Sequence, residues 1–543
     1  MNILAVIPAR GGSKGIPRKN VRFLAGNPLI SYAITNALKS EFSVDVCVST
    51  DDFEIEKVAI KYGAMVVKRT EELSSDEITL DPVIYDAFIK MSKQKNKEYD
   101  YVITLQATSP LLTVDILDNA ITECIENNYD TIISTVNQPH LHWEQSKEGG
   151  FTPGYKERLN RQYLPKRYVE TGAFLITKAE CMKPTSRIGK NVSVFEVPES
   201  QSIDIDTPAD WWIAEKQLTK KNILIRVDGY SGIGLGHIYR GLALAYNLID
   251  HNVQFVLSEK SDLGIEKIKN SHFPFTIIKS NKEIGKLISS QKIDIIINDI
   301  LNTTKDYVTY LKKLNVRVIN FEDLGDGADS ADIVINDLYA PQRNGDHYFW
   351  GSDYYIIRDE FLLSESSVFN EVVKNVLVIF GGADPSNLTL KVFNAIQSNF
   401  GYQNIQFNFI VGPGYPHYND LKNLAKKSSL NINVIRDVKV MTEYMRNADI
   451  ALSSQGRTML ELASMGVPTI LLAQNQRELK HEFGYLNNGF INLGLGEYIE
   501  EETVKDTLEW LIKSEQVRQQ MHDQMKLKDL KNGLKRVLQI ILN

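Results

Sequence analysis

Residues 2–20 read Asn2-Ile-Leu-Ala-Val-Ile-Pro-Ala-Arg-Gly-Gly-Ser-Lys-Gly-Ile-Pro-Arg-Lys-Asn20. The apolar run before a glycine loop predicts a buried parallel strand and the opening of an α/β unit. The glycines let the backbone approach a ligand closely, and the loop carries Arg10, Lys14, Arg18 and Lys19. Amide donors with positive charge suit the phosphates of a nucleoside triphosphate. The spacing is not that of a Walker A loop, and a solvated basic turn is the alternative.

The same order of apolar run, glycine loop and helical pattern occurs twice more. Residues 222–227 lead into the loop 228–237, and residues 375–380 lead into the loop 381–385. A predicted helix over 208–218 ends just before the second opening, and the polar run 364–370 precedes the third. The sequence therefore predicts an α/β chain in three parts, residues 1–220, 221–370 and 371–543.

Length, charge and cysteine usage exclude several classes of protein. At roughly 150 residues per domain, 543 residues suggest three or four domain-sized units. The net charge of −7 argues against a protein that holds nucleic acid by its backbone. Cys47, Cys124 and Cys181 form no paired motif, which favours a reducing cytoplasm. We expect no signal peptide, because a basic leading segment is missing, and no membrane span, because no apolar run nears the ~18 residues required.

The segment Ser202-Ile-Asp-Ile-Asp206 supplies a second chemical signal. Residues i and i+2 of a strand point to the same face, so Asp204 and Asp206 would direct two carboxylates to one place. Mg²⁺ is usually held by one or two carboxylates together with substrate phosphates. A turn or an exposed strand face is the alternative.

The first part resembles the acylneuraminate (CMP-sialic acid) cytidylyltransferase family. The resemblance is carried by residues 7–20 and continues in the same order along about residues 1–218. The further matching stretches are 49–52, Arg69 with 72–76, 105–112, Arg161-Gln162 with Pro165, 170–173 and 202–206. The related 3-deoxy-octulosonate cytidylyltransferases favour a different loop where this chain has residues 13–20. The resemblance implies a GT-A-like nucleotidyltransferase with a Rossmann-type mixed sheet.

The resemblance also implies a reaction and a set of residues. The anomeric hydroxyl of a nine-carbon 2-keto acid sugar would attack the α-phosphate of CTP, and pyrophosphate would leave. Eight residues would form the site: Arg10 and Lys19 at the triphosphate, Ser13 and Asn20 in the nucleotide loop, Gln106 and Arg161 at the sugar, and Asp204 and Asp206 at Mg²⁺. A CTP-binding scaffold without activity is the alternative.

Two departures from the family leave the substituents of the sugar open. Thr171 precedes Gly172 where many members have Asn, and Leu175 stands where many have Tyr. Both changes would remove polar reach near the sugar. By analogy with the family we also expect a homodimer, formed through an arm at about residues 140–168.

His237 is the notable residue of the second part. It stands at the predicted start of a helix, where the dipole disfavours a cationic imidazole and leaves a neutral ring that can accept a proton. The alternative is a histidine that only caps the turn. No acidic residue at the expected distance supports a dinucleotide site in this loop.

The third part offers donors for a diphosphate. Gly381 and Asp384 lie in a predicted phosphate-approach turn, and residues 453–458, ending at Thr458, open a helix. Glu461, one turn later, could accept hydrogen bonds from ribose hydroxyls, although a solvated helix face is the alternative. Asn475 lies in a polar loop after a predicted strand.

Together the second and third parts resemble the UDP-sugar hydrolase of the pseudaminic acid pathway and, more distantly, GT-B-type glycosyltransferases. The matching pieces over about residues 222–490 are 226–228 with 233–237, 298–299, 321–323, 355–361, 381–384, Thr458 with Glu461, and 475–476. The resemblance implies two Rossmann-like halves with a UDP-sugar between them and a metal-independent hydrolysis at the anomeric carbon. His237 would be catalytic, and Glu461 would bind the ribose. The alternatives are a glycosyltransferase and a non-catalytic nucleotide-sugar-binding module.

Overall fold

A computed structural model describes residues 1–12, 14–75, 77–147, 149–230, 233–397 and 400–543. The chain divides into two units, Met1–Lys220 and Lys221–Asn543. Each unit has its own sheets with helices between the strands. The predicted α/β class is therefore confirmed.

The main sheet of the first unit has seven strands in the order β11-β7-β10-β6-β1-β4-β5. Strand β10 runs antiparallel to both neighbours, while the other neighbouring strands are parallel, so the sheet is mixed as expected. The strands of the unit are β1 Ile3–Pro8, β2 Phe23–Leu24, β3 Asn27–Pro28, β4 Val44–Thr50, β5 Met65–Lys68, β6 Tyr101–Leu105, β7 Thr131–Asn137, β8 Trp143–Gln145, β9 Phe151–Pro153, β10 Tyr168–Lys178 and β11 Val192–Glu196. Its α-helices are α1 Leu29–Leu38, α2 Phe53–Lys61, α3 Leu80–Lys95, α4 Val114–Glu126 and α5 Pro208–Leu218.

Strand β1 shows why this sequence forms a central strand. Ile3, Ala5 and Ile7 pack into one core cluster, and Leu4 and Val6 pack into another on the opposite face. A strand that is covered by helices on both faces is apolar at every position. The loop after β1 therefore starts at the carboxyl edge of the sheet, where ligands of open α/β sheets bind.

The second unit contains two parallel sheets. The first sheet has the order β14-β13-β12-β15-β16-β17-β18, and the second has the order β21-β20-β19-β22-β23-β24. The strands are β12 Asn222–Val227, β13 Asn252–Ser258, β14 Phe275–Ile278, β15 Ile295–Asp299, β16 Arg317–Phe321, β17 Ile333–Asn336, β18 Tyr348–Trp350, β19 Asn375–Ile379, β20 Gln406–Val411, β21 Asn431–Arg436, β22 Ile450–Ser453, β23 Thr469–Ala473 and β24 Phe490–Leu495. Two doubly wound halves follow one another, as the GT-B-like expectation required.

Twelve α-helices of the described residues belong to the second unit. They are α6 Gly236–Asn247, α7 Asp262–Lys269, α8 Asn281–Gln291, α9 Lys305–Lys312, α10 Asp359–Leu363, α11 Leu388–Gln397, α12 Tyr418–Lys427, α13 Met441–Arg446, α14 Thr458–Met465, α15 Glu501–Lys513, α16 Glu515–Lys526 and α17 Gly533–Leu542. Leu534, Val537 and Ile541 of α17 pack into the core of the first half. The range 371–543 predicted for the third part thus includes a helix that packs on the second part.

Among the described residues, none of the helices has both the length and the apolar character that a membrane crossing requires.

Candidate active sites

A cavity of about 360 Å³ lies beside the glycine loop of the first unit, at the carboxyl ends of β1 and β6. It brings together five of the eight residues predicted for this site: Arg10, Lys19, Asn20, Gln106 and Asp206. Lys14 lines the same cavity. Ser13 lies outside the described residues.

Two side chains form hydrogen bonds with the backbone of the loop after β1. The Gly11 N–H donates to Asp51 Oδ1 at 3.0 Å, and Asn20 Nδ2 donates to the Arg10 carbonyl oxygen at 3.1 Å. A Cβ at Gly15 would lie 2.4 Å from the carbonyl oxygen of Asp206, so that position requires glycine. Asn20 therefore stabilises the conformation of the predicted nucleotide loop through its bond to the Arg10 carbonyl.

Arg69 lines the cavity, although sequence reasoning did not assign it to the site. Its Nε donates to both the carbonyl and the hydroxyl oxygen of Ser49, each at 3.0 Å. Burial lowers the pKa of Arg69 to about 10, with Asp51 opposing the shift and Arg10 adding to it. The side chain thus remains cationic at neutral pH. Its place directly after the parallel strand β5 was the signal that could have identified it.

Asp204 and Asp206 lie on a segment that belongs to none of the sheets of the described residues, so the predicted strand is not formed. The expected alternation persists, because Ile203 and Ile205 pack together into an apolar cluster. Lys19 Nζ donates to the Ile205 carbonyl at 2.5 Å and to Asp206 Oδ1 at 3.1 Å. One cation of the loop is thereby tied to the carboxylate segment.

The carboxylate pair fits a hard divalent cation. Asp204 Oδ1 is buried without a hydrogen-bond partner. Burial raises the pKa of Asp204, a bond to Thr108 opposes the shift and the nearby charge of Asp206 adds to it. A cation would satisfy this oxygen, and Mg²⁺ needs only one or two carboxylates when phosphates and water complete its shell.

Two of the predicted site residues, Gln106 and Asp204, lie close to Gly172. A Cβ there would lie 3.1 Å from Gln106 Nε2 and 3.4 Å from Asp204 Oδ2, and its backbone φ of +73° also favours glycine. Thr171 is buried, and its hydroxyl donates to Ser134 Oγ at 2.9 Å. The polar atom that replaces the usual Asn side chain is therefore directed into the protein.

Arg161 is separate from these residues. It lies in the 3₁₀ turn Arg161–Tyr163, is exposed, and places Nη2 3.4 Å from Glu199 Oε1. The structure does not bring Arg161 into the cavity, and its predicted contact with the sugar stays a prediction.

In the second unit a cleft separates the two halves. Two cavities of about 180 Å³ and 310 Å³ lie along it. They share lining residues from both halves, and these are Leu235, Gly236, Gly381, Gly382, Arg457 and Thr458. The two cavities therefore form one cleft with a continuous lining.

His237 lines the larger cavity from the first turn of α6. Its Nδ1 lies 2.5 Å from Asp299 Oδ1, and Arg240 Nε donates to Asp299 Oδ2 at 2.7 Å. Burial acts to raise the pKa of Asp299, but the charges of Arg240 and His237 hold it below its ordinary value. When the ring is neutral, an ionised Asp299 favours the tautomer with the proton on Nδ1, in which Nε2 is the acceptor. This arrangement exceeds what a histidine that only caps the turn would need.

Arg457 bridges the two halves. Its Nη1 donates to Glu322 Oε1 at 3.0 Å and to Asp337 Oδ2 at 2.9 Å, and its guanidinium lies 4.6 Å from the centre of the Tyr355 ring. The positive charge of Arg457 is thus neutralised by carboxylates of the first half. The first amide groups of α14 have no partner within the helix and can still face an anion.

Thr458 and Glu461 both lie on α14. Thr458 is the first residue of the helix and lines both cavities, and Glu461 lines the smaller one. Arg358 Nε donates to Glu461 Oε1 at 2.7 Å. Glu461 is buried and ion-paired, so it is not the solvated helix residue of the alternative reading.

Three other predicted residues lie at the larger cavity. Gly381 has a φ of +80° at the end of β19. Asp384 accepts from the N–H groups of Leu388 and Thr389 at 2.9 and 2.8 Å, so its carboxylate caps α11. Asn475 Oδ1 accepts from two N–H groups of the turn that follows it. Asp384 therefore positions the turn, and a direct ligand contact of Asp384 or Asn475 stays a prediction.

Two carboxylates and one histidine of the larger cavity were missed: Glu322, Glu478 and His481. Burial raises the pKa of Glu478 to about 7, although the Gln474 N–H donates to its carboxylate at 2.7 Å. His481 Nδ1 lies 2.5 Å from the Gln455 carbonyl oxygen, and burial lowers the pKa of His481. These residues follow β16 and β23 in sequence, and that position was the available signal.

The comparisons with known proteins separate the two units in the same way. A cytidylyltransferase family model matches residues 4–149, and a model of the glycosyltransferase family 28 C-terminal domain matches residues 376–537. The chain is 37% identical over 217 residues to pseudaminic acid cytidylyltransferase of Campylobacter jejuni, covering 39% of this chain and 93% of that protein. The chain belongs to the cytidylyltransferase family, and the part that carries this membership is its first unit.

Other relatives share only part of their length with it. N-acylneuraminate cytidylyltransferase A of Danio rerio is 36% identical over 225 residues, covering 40% of this chain and 51% of that protein. The chain spans between about half and two thirds of the length of each of the first curated relatives that it matches. A crystal structure of MurG from Acinetobacter baumannii aligns with a TM-score of 0.44 at 14% identity, covering 59% of this chain and 99% of that chain.

Proposed function

We propose that the first unit transfers a cytidylyl group from CTP to a nine-carbon 2-keto acid sugar, a sialic acid or a related nonulosonate, and releases pyrophosphate. The observation that carries this proposal is the meeting of Arg10, Lys19 and Arg69 with Asp206 in one cleft, next to Asp204. Cations for a triphosphate and carboxylates for a divalent ion are both needed for this reaction. In the sequence, all three cations lie far from the two carboxylates.

In the proposed reaction the anomeric hydroxyl forms a bond to the α-phosphorus, and the bond to pyrophosphate breaks. Negative charge gathers on the phosphate oxygens, so fixed cations lower the barrier. Arg10, Lys19 and Arg69 are held for this task by the loop and by Ser49. Gln106 is placed to orient the sugar at Gly172. Mg²⁺, when bound, would be held by Asp204 and Asp206 and would neutralise the phosphates.

Two supports narrow the substrate class. The Campylobacter jejuni relative is named for pseudaminic acid, and a Legionella pneumophila relative of 34% identity is named as a CMP-N,N'-diacetyllegionaminic acid synthase. Both named sugars are nonulosonic acids. CTP and a nonulosonic acid are therefore the proposed substrates, and the three free thiols fit the proposed cytoplasmic location.

We further propose a homodimer through the arm at 140–168. The hairpin of β8 and β9 presents Trp143, 56% exposed, and Phe151, 68% exposed. Apolar surface of this kind marks protein interfaces when it is contiguous. Such a dimer would also give the exposed Arg161 a place at an interface.

For the second unit we propose hydrolysis of a UDP-sugar at the anomeric carbon. The observation that supports this proposal is the bond between Asp299 and Nδ1 of His237, a residue that lines the cavity; in the neutral ring Nε2 would then accept a proton. Water would form a bond to the anomeric carbon and give a proton to Nε2, while the bond to UDP breaks. The diphosphate would lie at the start of α14, and Glu461 would bind the ribose.

A glycosyltransferase is the second candidate, because the family 28 model matches residues 376–537. That match supports nucleotide-sugar binding by the second half in either case. A non-catalytic binding module is the remaining alternative. UDP release in water alone, without an acceptor, distinguishes hydrolysis from transfer, and loss of that release in His237→Ala with unchanged UDP binding distinguishes an enzyme from a module.

The two proposed reactions would be steps of one biosynthetic sequence. The second unit would free a 2,4-diacetamido-type hexose, a separate condensation would extend it to nine carbons, and the first unit would activate the acid.

For the first unit the test is pyrophosphate release by wild type and Asp206→Ala with CTP and Mg²⁺. Normal release by the variant would contradict the metal assignment.

A further inference from the structure

Glu322 is a buried carboxylate at the wall of the cleft in the second unit. It follows β16, is 5% exposed, and lines the larger cavity together with His237, Gly456 and Thr458. Its backbone φ is +50°, in the left-handed region that residues with a side chain rarely adopt. Strain of this kind tends to persist at functional sites, where the surrounding structure holds it in place.

Both halves of the unit fix the charge of Glu322. Its Oε1 accepts from Arg240 Nη1 at 2.7 Å and from Arg457 Nη1 at 3.0 Å. Burial acts to raise the pKa of Glu322, but these charges, with Arg240 the foremost, hold it well below its ordinary value. The ionised form of this buried carboxylate is therefore favoured.

Glu322 shares its two arginines with a second carboxylate, Asp337. Arg240 also binds Asp299, and Asp337 contacts both Arg240 at 3.3 Å and Arg457 at 2.9 Å. Two guanidinium groups thus face three carboxylates. Of the two carboxylates that share both arginines, only Glu322 lines the cavity with His237, whereas Asp337 lines a different cavity with Trp350. Glu322 is thus the carboxylate of this pair that faces the cavity with His237, and Arg477, whose Nη2 donates to the Glu322 carbonyl oxygen at 2.6 Å, lines the same cavity.

We propose that Glu322 stabilises the positive charge that develops on the sugar when its bond to UDP breaks. The inference rests on the proposed hydrolysis. The electron pair of the broken bond leaves with UDP, the water oxygen bonds to the anomeric carbon, and the proton of the water goes to His237 Nε2. Glu322 neither gains nor loses a proton. A fixed anion in a water-poor site stabilises such charge without reorganisation.

The test compares E322Q with D337N in the full-length protein. Each change removes one negative charge from the same two arginines, and only the first removes it from the cavity. With a UDP-2,4-diacetamido-hexose as substrate, E322Q should lower kcat about 100-fold or more, and the Kd for UDP should stay within threefold. D337N should lower kcat less than tenfold. Thermal unfolding of both variants checks that they fold.

E322D keeps the anion but shortens its reach, so it should recover at least about tenfold of the kcat lost in E322Q. If E322Q does not fold, E322D alone is the test. Its kcat should be about tenfold below that of the wild type, with an unchanged Kd for UDP. Equal losses in E322Q and D337N, or an unchanged kcat in E322D and E322Q, would overturn the role of Glu322 while leaving the hydrolase intact. Absence of UDP release by the wild type would overturn the hydrolase proposal and this one with it.

Discussion

Replacing Asp204 by Asn should remove the proposed metal site and stabilise the first unit at the same time. The carboxylate holds a buried oxygen without a partner, and burial disfavours its ionised form. An unsatisfied buried acceptor costs about 1–3 kcal/mol. Because Asp204 is only partly buried, we take the lower end, a gain of about 1 kcal/mol for Asn. In a unit of this size that gain raises Tm by about 2–4 °C.

The sign of the pH dependence follows from the raised pKa of Asp204. The ionised carboxylate is the destabilised form, so the gain from Asn is complete above the pKa in the folded state. It disappears at acidic pH, where the wild-type side chain is protonated in both the folded and the unfolded chain. The catalytic loss should be at least about 100-fold, because a bound cation contributes several kcal/mol to the transition state.

The assay is calorimetry of the full-length protein, following the transition that CTP shifts, together with pyrophosphate release at saturating Mg²⁺. Asp206→Asn is the matched control. Its side chain is 74% exposed and already paired with Lys19, so it should lose activity without gaining stability. A Tm that falls in Asp204→Asn, or a kcat within threefold of wild type, would refute this reasoning.

Three further predictions concern the second unit and the arm. His237→Gln should lower UDP-sugar hydrolysis about 100-fold or more, the usual contribution of a general base, while calorimetric UDP binding stays within threefold; a parallel loss of UDP affinity would contradict the role. UDP binding should weaken as pH rises through about 7, because the buried Glu478 ionises close to Gly456 in that range. Glu478→Gln should abolish the part of this pH dependence that does not belong to UDP itself. Identical profiles of UDP affinity against pH in the variant and the wild type would exclude the effect. Trp143→Glu should convert a dimer to monomers in sedimentation equilibrium. Trp212→Glu is the control and should not do so, because Trp212 is 68% exposed but lies outside the arm. A dimer in both variants would show that the arm does not form the interface.

Local patterns carried most of the fold. The apolar runs at residues 3–8, 222–227 and 375–379 form central strands because helices cover both faces of their sheets, and continuous apolar sequence indicates that situation directly. The helix Thr458–Met465 begins where residues 453–458 predicted its opening. Loops after such strands lie at one edge of a sheet, which is why most predicted site residues line the two clefts.

Partnerships between distant residues could not be predicted in this way. Arg457 pairs with Glu322, and Arg358 pairs with Glu461, each across more than 100 residues of chain. Periodicity describes only neighbours along one element, so it cannot show which carboxylate a given arginine will meet. Asp384 illustrates the same limit, since its sequence context suits a phosphate turn as well as the helix cap that it forms.

The central proposal is tested most directly by incubating the full-length protein with CTP, Mg²⁺ and each of four acids, and measuring pyrophosphate. The acids are N-acetylneuraminic, deaminated neuraminic, legionaminic and pseudaminic acid, and mass spectrometry would identify any CMP-sugar. We expect pyrophosphate and the matching CMP-sugar with at least one acid, with a preference for the pseudaminic or legionaminic acid if both units serve one diacetamido pathway. CTP binding without pyrophosphate release from any of the four acids would contradict the proposed cytidylyltransferase.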